Sequence, residues 1–140
     1  MRAPVDPRYN VDRFAPTRAR FVRFSVSATN SVEPCLDELE VFTAEREPRN
    51  VALVSLGTQA TASGTLPNVD IHKLEHINDG YYGNAKSWIS NEVGRGWVAL
   101  EFAEPHVIDE FRWSRDRGTP PQYADRVAKD YLIETSLDGQ

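Results

Sequence analysis

Oxygen donors are concentrated in residues 76–88, which read HINDGYYGNAKSW. Within them, Asn78-Asp79-Gly80 is a strong turn signal, because these residue types tolerate left-handed backbone angles. The side chains of Asp79, Asn84 and Ser87, with the carbonyls of a sharply turning backbone, are hard ligands, of which Ca²⁺ takes about six to eight. The acidic ladder of an EF-hand is missing, so two interpretations stay open. One is a calcium loop, and the other is a surface turn in which Asp79 accepts a hydrogen bond from its own backbone.

A second group of carboxylates lies on a predicted strand. Residues 36–42 alternate so that Glu38 and Glu40 share one face with Leu36 and Phe42. Carboxylates among apolar side chains need a cation, an arginine or water as a partner. The same pattern is also typical of an edge strand with solvated glutamates.

Catalytic patterns are weak in this chain. The three histidines lack metal-ligand spacing, and there is no nucleophile elbow or phosphate loop. Cys35 follows a proline just ahead of a strand, which favours a buried structural thiol over a reactive one. Glu38 and Glu40 could mimic the carboxylate pair of a glycosidase, but nothing in the sequence marks a cleft or a raised pKa. We therefore predict that the protein is not an enzyme.

Composition narrows the class further. The chain has 140 residues, 40% of them hydrophobic, which predicts one domain with a modest core. A net charge of -5 argues against binding nucleic acid through bulk charge. No apolar run approaches a membrane span. Residues 1–4 lack the apolar region of a signal peptide, so we expect either a cytosolic protein or, as we prefer, an internal piece of a longer exported chain.

Period-two alternation recurs along the chain, with turn residues between the alternating segments. Strands are predicted at 20–26, 36–42, 58–63, 97–102, 107–113 and 131–136, with one helical turn at 71–77 and a break at Pro105. Many short strands with almost no helix predict an all-β sandwich, and a jelly roll is the favoured version. Asp138-Gly139 is a hairpin turn with no returning strand after it, so we expect the chain to stop within a domain.

Several short motifs together resemble a known family. They are NVAL (50–53), ATAS (60–63), NDG (78–80), SW (87–88), GWVALEF (96–102), ID (108–109) and YLIETSLDG (131–139). These look like the first two-thirds of a discoidin domain, in the coagulation-factor type C family that includes galactose-binding-like carbohydrate-binding modules. The segments ARFVRF (19–24) and LDELEVF (36–42) look like that domain's last two strands. The resemblance covers residues 19–140 and implies a discoidin-like jelly roll.

The order of the motifs departs from the family, because its closing strands come first here. The chain is either a cut from a tandem array or a circularly permuted module, which is feasible where termini lie close together. We predict a leader or linker at 1–18 and a sandwich at 19–140. Within the sandwich, 19–43 supply the closing strands, 44–49 the connection and 50–140 the main part. A two-stranded hairpin is marginal alone, so residues 19–43 should pack on the later strands.

The resemblance also implies a structural calcium ion between the Asp-Gly loop and the closing strand. Carried onto matching positions, its ligands are the carbonyls of His76 and Asp37 and the side chains of Asp79 and Glu38. Tyr81 can offer only a carbonyl where the family often has a polar residue, and the interval to Ser87 is long, so Asn84 and Ser87 are added as further candidates. The rival interpretation pairs Asp79 with backbone amides and Glu38 with an arginine such as Arg23.

The family's ligand site lies on loops at one end of the sandwich. Sugar recognition needs aromatic faces and planar hydrogen-bonding groups. The predicted ligand-binding residues are Tyr81, Tyr82, Arg115, Arg117 and Tyr123, while Trp88 is assigned to the core. Loop packing for the tyrosines and a solvated ion-pair cluster for the arginines are the alternatives.

The resulting expectation is a noncatalytic, carbohydrate-binding β-sandwich module. It would be part of a larger multidomain protein of the cell envelope or the extracellular space, with a surface glycan or polysaccharide as partner. The alternative is a protein-interaction or structural domain that binds no sugar.

Overall fold

The computed structural model describes residues 4–140, which form an all-β protein built from antiparallel sheets. The strands are β1 (Asn10–Thr29), β2 (Cys35–Leu36), β3 (Glu38–Thr43), β4 (Gln59–Ala62), β5 (Trp88–Ile89), β6 (Gly96–Ser114) and β7 (Ala128–Ser136). Helical structure in this part of the chain is limited to 3₁₀ turns at Val54–Leu56, Leu74–Asn78 and Asn84–Lys86. Among residues 4–140, no helix has the length and apolar character needed to cross a membrane. The predicted all-β, sandwich-like class is confirmed.

The larger sheet has five strands in the order β3-β6-β1-β7, with β4 also paired to β6. Strand β6 pairs with β3 through residues 108–114 and with β4 through residues 98–101. The smaller sheet consists of β2 and β5. Its residues Leu36 and Trp88 belong to the same core cluster as the inward side chains of the larger sheet. The core therefore joins both sheets.

Early and late segments of the chain meet in one sheet. Arg23 of β1 pairs with Ala99 of β6 and with Glu134 of β7. Val41 of β3 pairs with Phe111 of β6. The N-terminal strands thus pair with strands from later in the chain, as expected for segments that cannot be stable alone.

The first strand starts earlier than the predicted boundary at residue 19. Residues 10–13 already pair with β6, so the predicted leader at 1–18 is wrong for its second half. A register shift between Arg13 and Thr17 accommodates Pro16, whose missing N–H needs no ladder partner there. The bulge hides the period-two pattern. Residues 1–3 lie outside the described chain.

Pro105 does not end a strand, because β6 continues through it. The register passes from Phe21↔Glu101 to Ala19↔His106, so several β6 residues face a single β1 residue. This bulge removes the need for a donor at Pro105 and bends both long strands.

Aromatic side chains fill the centre of the core. Phe24 stacks on Phe111 with ring centroids 5.5 Å apart and also contacts Tyr131 at 5.0 Å. Trp113 meets Tyr131 edge to face at 5.2 Å. Trp88 is fully buried, as predicted, and its Nε1 donates to Thr65. These ring contacts join β1, β6 and β7 within the core.

Candidate functional site

The carboxylate of Asp37 joins three segments of the chain. It is fully buried at the junction of β2 and β3. Its Oδ2 accepts hydrogen bonds from the backbone N–H of Gly83 at 2.8 Å and of Arg117 at 2.7 Å. Its Oδ1 accepts one from the hydroxyl of Ser114. Asp37 therefore holds the 80–83 loop and the segment after β6 against β3, and the left-handed φ of +105° at Gly83 suits a glycine.

Glu38 is also fully buried but is only partly satisfied. Its Oε2 accepts a hydrogen bond from the N–H of Gly80 at 2.8 Å, whereas its Oε1 has no hydrogen-bond partner. Burial is the main cause that raises the pKa of Glu38 to about 10; the hydrogen bond from Gly80 opposes it, and the nearby charges of Asp79, Glu40 and Asp37 act in the same direction as burial. The carboxyl group is therefore protonated at neutral pH unless a cation compensates its charge.

The charge of Asp79 acts on Glu38, because the hydrogen bond from the next residue, Gly80, holds this loop against Glu38. The side chain of Asp79 accepts a hydrogen bond from the N–H of Tyr81 at 2.9 Å. This is the self-capped turn of the rival interpretation. Arg23, the suggested arginine for Glu38, is instead paired with Glu134 on another part of the sheet, at 2.8 Å.

The predicted metal donors Asn84, Ser87 and His76 have other partners. Asn84 Oδ1 accepts a hydrogen bond from Arg115 at 2.9 Å. The Ser87 hydroxyl donates to the carbonyl of Asn84 and contacts Nδ1 of His72 at 2.8 Å. His76 Nδ1 contacts the carbonyl of Ser87 at 3.0 Å. These contacts build the loop, and the hydrogen bonds of Asn84 and Ser87 do not extend to Glu38.

Glu38 fits a cation better than the other predicted donors do. The described residues contain no group of three or more His, Cys, Asp or Glu side chains that could hold a metal. A cation at Glu38 would therefore depend on backbone carbonyls, which Ca²⁺ accepts readily. The buried Oε1 of Glu38, which has no hydrogen-bond partner, is the atom that gains most from such an ion.

The guanidinium of Arg117 stacks with the rings of Tyr82 and Tyr9 on the outer side of this loop. The Arg117 guanidinium lies 3.9 Å from the Tyr82 ring centroid and 4.9 Å from that of Tyr9. It forms an ion pair with Glu40, which also accepts a hydrogen bond from the Tyr82 hydroxyl at 3.0 Å. Glu40 thus finds an arginine, as one sequence interpretation required, and the stack fixes the orientation of Tyr82.

Arg115 supports the site from its buried side. Its side chain is 2% exposed and forms an ion pair with Asp125 at 2.9 Å. Its guanidinium also donates to the Asp125 carbonyl at 2.7 Å and lies 5.2 Å from the Tyr123 ring centroid. Arg115 therefore positions Tyr123 and Asn84, and it is too deeply buried to offer its charge to a ligand.

Asp116 organises the neighbouring loop and was not predicted from the sequence. It accepts backbone hydrogen bonds from Gly118, Gln122 and Tyr123 at 2.8–3.0 Å. Burial alone would raise the pKa of Asp116, but these bonds and Arg115 outweigh it and lower the pKa. The carboxylate stays charged and folds residues 116–123 into a fixed loop.

These two loops line an open cavity of about 370 Å³. Tyr82 and Asn84 line one side, and Asp116, Gln122 and Tyr123 line the other. Tyr82 is 41% exposed and Tyr123 is 43% exposed, so both rings can contact a molecule in the cavity. We call this cavity, with the loops 80–87 and 115–123, the loop-end site.

Of the predicted ligand-binding residues, the cavity brings together Tyr82 and Tyr123 but not Tyr81. Tyr81 is 64% exposed and carries Lys86 over its ring at 5.7 Å. Arg115 and Arg117 form ion pairs with Asp125 and Glu40 and so support the residues that line the cavity. Tyr9, which lies in the predicted leader, contributes to the site by stacking on Arg117. No local motif in the sequence marks this contact.

No protein-family model matches this chain, and neither a curated protein nor a solved structure matches it. The chemistry of the loop-end site and the sequence motifs are therefore the grounds for a function.

Proposed function

We propose that this protein is a noncatalytic binding module that takes carbohydrate in the loop-end site. The single observation that carries the proposal is the pair of exposed rings, Tyr82 and Tyr123, on one cavity whose lining also includes the polar residues Asn84, Asp116 and Gln122. Tyrosine rings present an apolar face to a sugar ring, while amide and carboxylate groups bind its hydroxyls. The cavity volume falls within the range usual for small-ligand sites.

The rigidity of the walls supports this proposal. Asp37 and Asp116 fix both loops through backbone hydrogen bonds, and the stack on Arg117 fixes Tyr82. Pre-organised groups lose little entropy when a ligand binds. The most unusual carboxyl group of this region, Glu38, is fully buried and cannot touch a substrate, which favours binding over catalysis.

A structural calcium ion at Glu38 is part of the proposal. The ion would be held by Glu38 and Asp79 with backbone carbonyls such as those of His76 and Asp37, and it would neutralise the buried carboxylates. The resemblance to discoidin domains supports the same ion, and with it a jelly-roll arrangement in a larger exported or cell-envelope protein.

The second candidate is a protein-interaction or structural domain. The exposed stack of Arg117 and Tyr82 is its specific support, because arginine and tyrosine are frequent anchors of protein interfaces. It predicts no saccharide selectivity in the loop-end site.

A glycan array, run with calcium and with EDTA, tests the proposal. We expect selective binding that Tyr82→Ala and Tyr123→Ala each weaken by roughly tenfold or more, equivalent to about 1.4 kcal/mol. Tyr81→Ala is the matched control, since this tyrosine lies on the same loop but outside the cavity. EDTA should weaken binding by loosening the 79–83 loop.

Two results would contradict the proposal. One is the absence of binding across a broad array. The other is binding that Tyr81→Ala reduces as much as Tyr82→Ala does, because that would place the ligand outside the cavity.

A further inference from the structure

The outer face of the larger sheet carries a second group of aromatic and polar side chains. Ser25 of β1 pairs with Trp97 of β6, and two residues earlier Arg23 pairs with Ala99. A further two residues earlier lies Phe21. Because side chains alternate across a strand, these residues point to one face, opposite the buried Val22 and Phe24. We call this surface the outer face.

This face contains a cavity of about 340 Å³. Trp97 and Phe21 line it, together with the short side chains of Thr61 and Ala99 and the ion pair of Arg23 with Glu134. Phe21 is four residues from Ser25, the β1 partner of Trp97, so the two backbone positions are offset by roughly 13 Å along the strands at about 3.3 Å per residue. The small residues between them leave a trough with an aromatic ring towards each end.

Trp97 is unusual among the three tryptophans. Trp88 and Trp113 are fully buried in the core, whereas Trp97 is partly exposed on the outer face. A tryptophan on a solvated sheet face offers a large apolar surface that the fold does not use in its core.

The charges in the trough balance each other. Arg23 donates to Glu134 through Nε at 3.2 Å and through Nη2 at 2.8 Å, both to the same oxygen, Oε1. Both side chains are about half exposed. Oε2 of Glu134 and Nη1 of Arg23 remain available to bind a polar ligand. Because the two charges are paired, they favour a neutral ligand over an anion.

Residues 136–140 form the far end of the trough. The Ser136 hydroxyl accepts hydrogen bonds from the N–H groups of Asp138, Gly139 and Gln140. Gly139 packs over Phe21, where an added Cβ would lie 3.5 Å from the ring. This turn places Gln140 on the cavity wall, where its amide adds a planar hydrogen-bonding group.

We propose that the outer-face trough is a second binding site, separate from the loop-end site, that takes a neutral oligosaccharide. Trp97 and Phe21 stack on sugar rings, and Arg23, Glu134 and Gln140 bind the hydroxyls between them. The outer-face site is independent of the loop-end site. Two sites on one module raise the avidity for a polymeric ligand.

Tryptophan fluorescence reports on this site directly. We would titrate the full chain with cellohexaose, xylohexaose, mannohexaose and laminarihexaose, and with hexagalacturonic acid as the anionic comparison. At least one neutral hexasaccharide should change the emission of Trp97, and the anionic one should not. Calorimetry should show a loss of roughly tenfold or more in affinity for Trp97→Ala, with Trp97→Phe retaining most of the binding.

Matched variants separate the two sites. Arg23→Gln should weaken binding, whereas Arg13→Gln should not, since Arg13 is an exposed arginine in an ion pair elsewhere on the sheet. Tyr82→Ala and Tyr123→Ala should leave the change in Trp97 emission intact, so failure of either site is visible without the other. Near-ultraviolet circular dichroism confirms that each variant is folded.

The proposal is overturned if none of the neutral hexasaccharides produces a fluorescence or calorimetric signal, which would leave this face to a protein partner. Binding that survives Trp97→Ala unchanged overturns it as well.

Discussion

Adjacent carboxylates at the start of β3 have opposite environments. Asp37 and Glu38 are both fully buried and point to different sides of the chain. Asp37 has three hydrogen-bond donors, one from the 80–83 loop and two from the end of β6 and the residues that follow it. Glu38 has a single donor, the N–H of Gly80, and one oxygen without a partner.

This difference separates a carboxylate that the fold satisfies from one that still needs a proton or a cation. A buried carboxylate with all its partners in the protein stabilises the fold and needs nothing more. A buried carboxyl group with an unpartnered oxygen is costly unless it is protonated or meets a cation. Both residues hold the same loop, Asp37 through Gly83 and Glu38 through Gly80, so an ion at Glu38 would tighten the walls of the loop-end site.

The largest effect is expected for Asp37→Asn. The amide group replaces one acceptor oxygen with a donor facing N–H and O–H groups, so unfolding free energy should fall by about 3–5 kcal/mol. Urea denaturation measures it. Asp130→Asn, on the exposed side of β7, is the control and should change stability by less than about 0.5 kcal/mol. A loss below about 1 kcal/mol for Asp37→Asn would contradict its role as the structural carboxylate.

Arg115→Lys should cost about 2–3 kcal/mol. A lysine cannot reproduce the planar donors that reach Asp125, its carbonyl and Asn84 from a buried position. The Tyr123 wall should loosen together with the loss of stability. Arg126→Lys, in a more exposed ion pair with Glu33, serves as the control in the same thermal-melting experiment. Equal effects of the two substitutions would argue against a supporting role for Arg115.

Glu38 gives stability a distinctive pH dependence when calcium is absent. Its pKa is about 10 in the folded protein, against a usual value of 4.5, so the folded state binds the proton more tightly than the unfolded state. This contribution to stability is complete below about pH 4.5 and is lost as pH rises towards about 10. Between about pH 6 and about pH 8 the loss should be about 2–3 kcal/mol, since one proton's difference costs about 1.4 kcal/mol per pH unit.

Glu38→Gln should abolish that loss, because glutamine has no proton to release. The difference between the parent and Glu38→Gln isolates the effect from other groups. His72 is one of these, since burial lowers its pKa and makes its own contribution rise with pH. Parallel curves of unfolding free energy against pH for the two proteins would show that Glu38 does not titrate as proposed.

The smallest effect is expected for Arg23→Gln. Its ion pair with Glu134 lies on the surface, where such pairs contribute about 0–1 kcal/mol. Stability should hardly change, while oligosaccharide binding on the outer face should weaken. Chemical denaturation and calorimetry on the same sample separate the two. A stability loss above about 2 kcal/mol would mean that this pair supports the fold.

Period-two alternation was enough to predict most of the strands. Val22, Phe24 and Val26 are buried on one side of β1, and Val98, Leu100 and Phe102 on one side of β6. The bulges at Pro16 and Pro105 were not predictable, because an isolated proline normally ends a strand. Only the partner strand, with its own register shift, shows that the ladder continues.

The site could be predicted only in part, because it too depends on contacts between distant segments. Asp79 and Glu38 were expected to meet, and the Gly80 bond holds the loop of Asp79 against Glu38. The exposure of Tyr82 and Tyr123 on one cavity was not readable from their spacing, because it depends on how Asp116 folds its loop. Asp116 resembles any charged residue in a loop until its three backbone partners are known.

Whether a cation at Glu38 completes the loop end is measured by titrating the parent and Glu38→Gln with calcium near neutral pH. Calorimetry in buffers of different ionisation enthalpy follows both calcium and protons. The parent should bind a single calcium ion and release close to one proton, since Glu38 must lose its proton to become a ligand. Both signals should disappear in Glu38→Gln. A parent that binds no calcium, or a variant that binds it equally well, would contradict a cation site at Glu38.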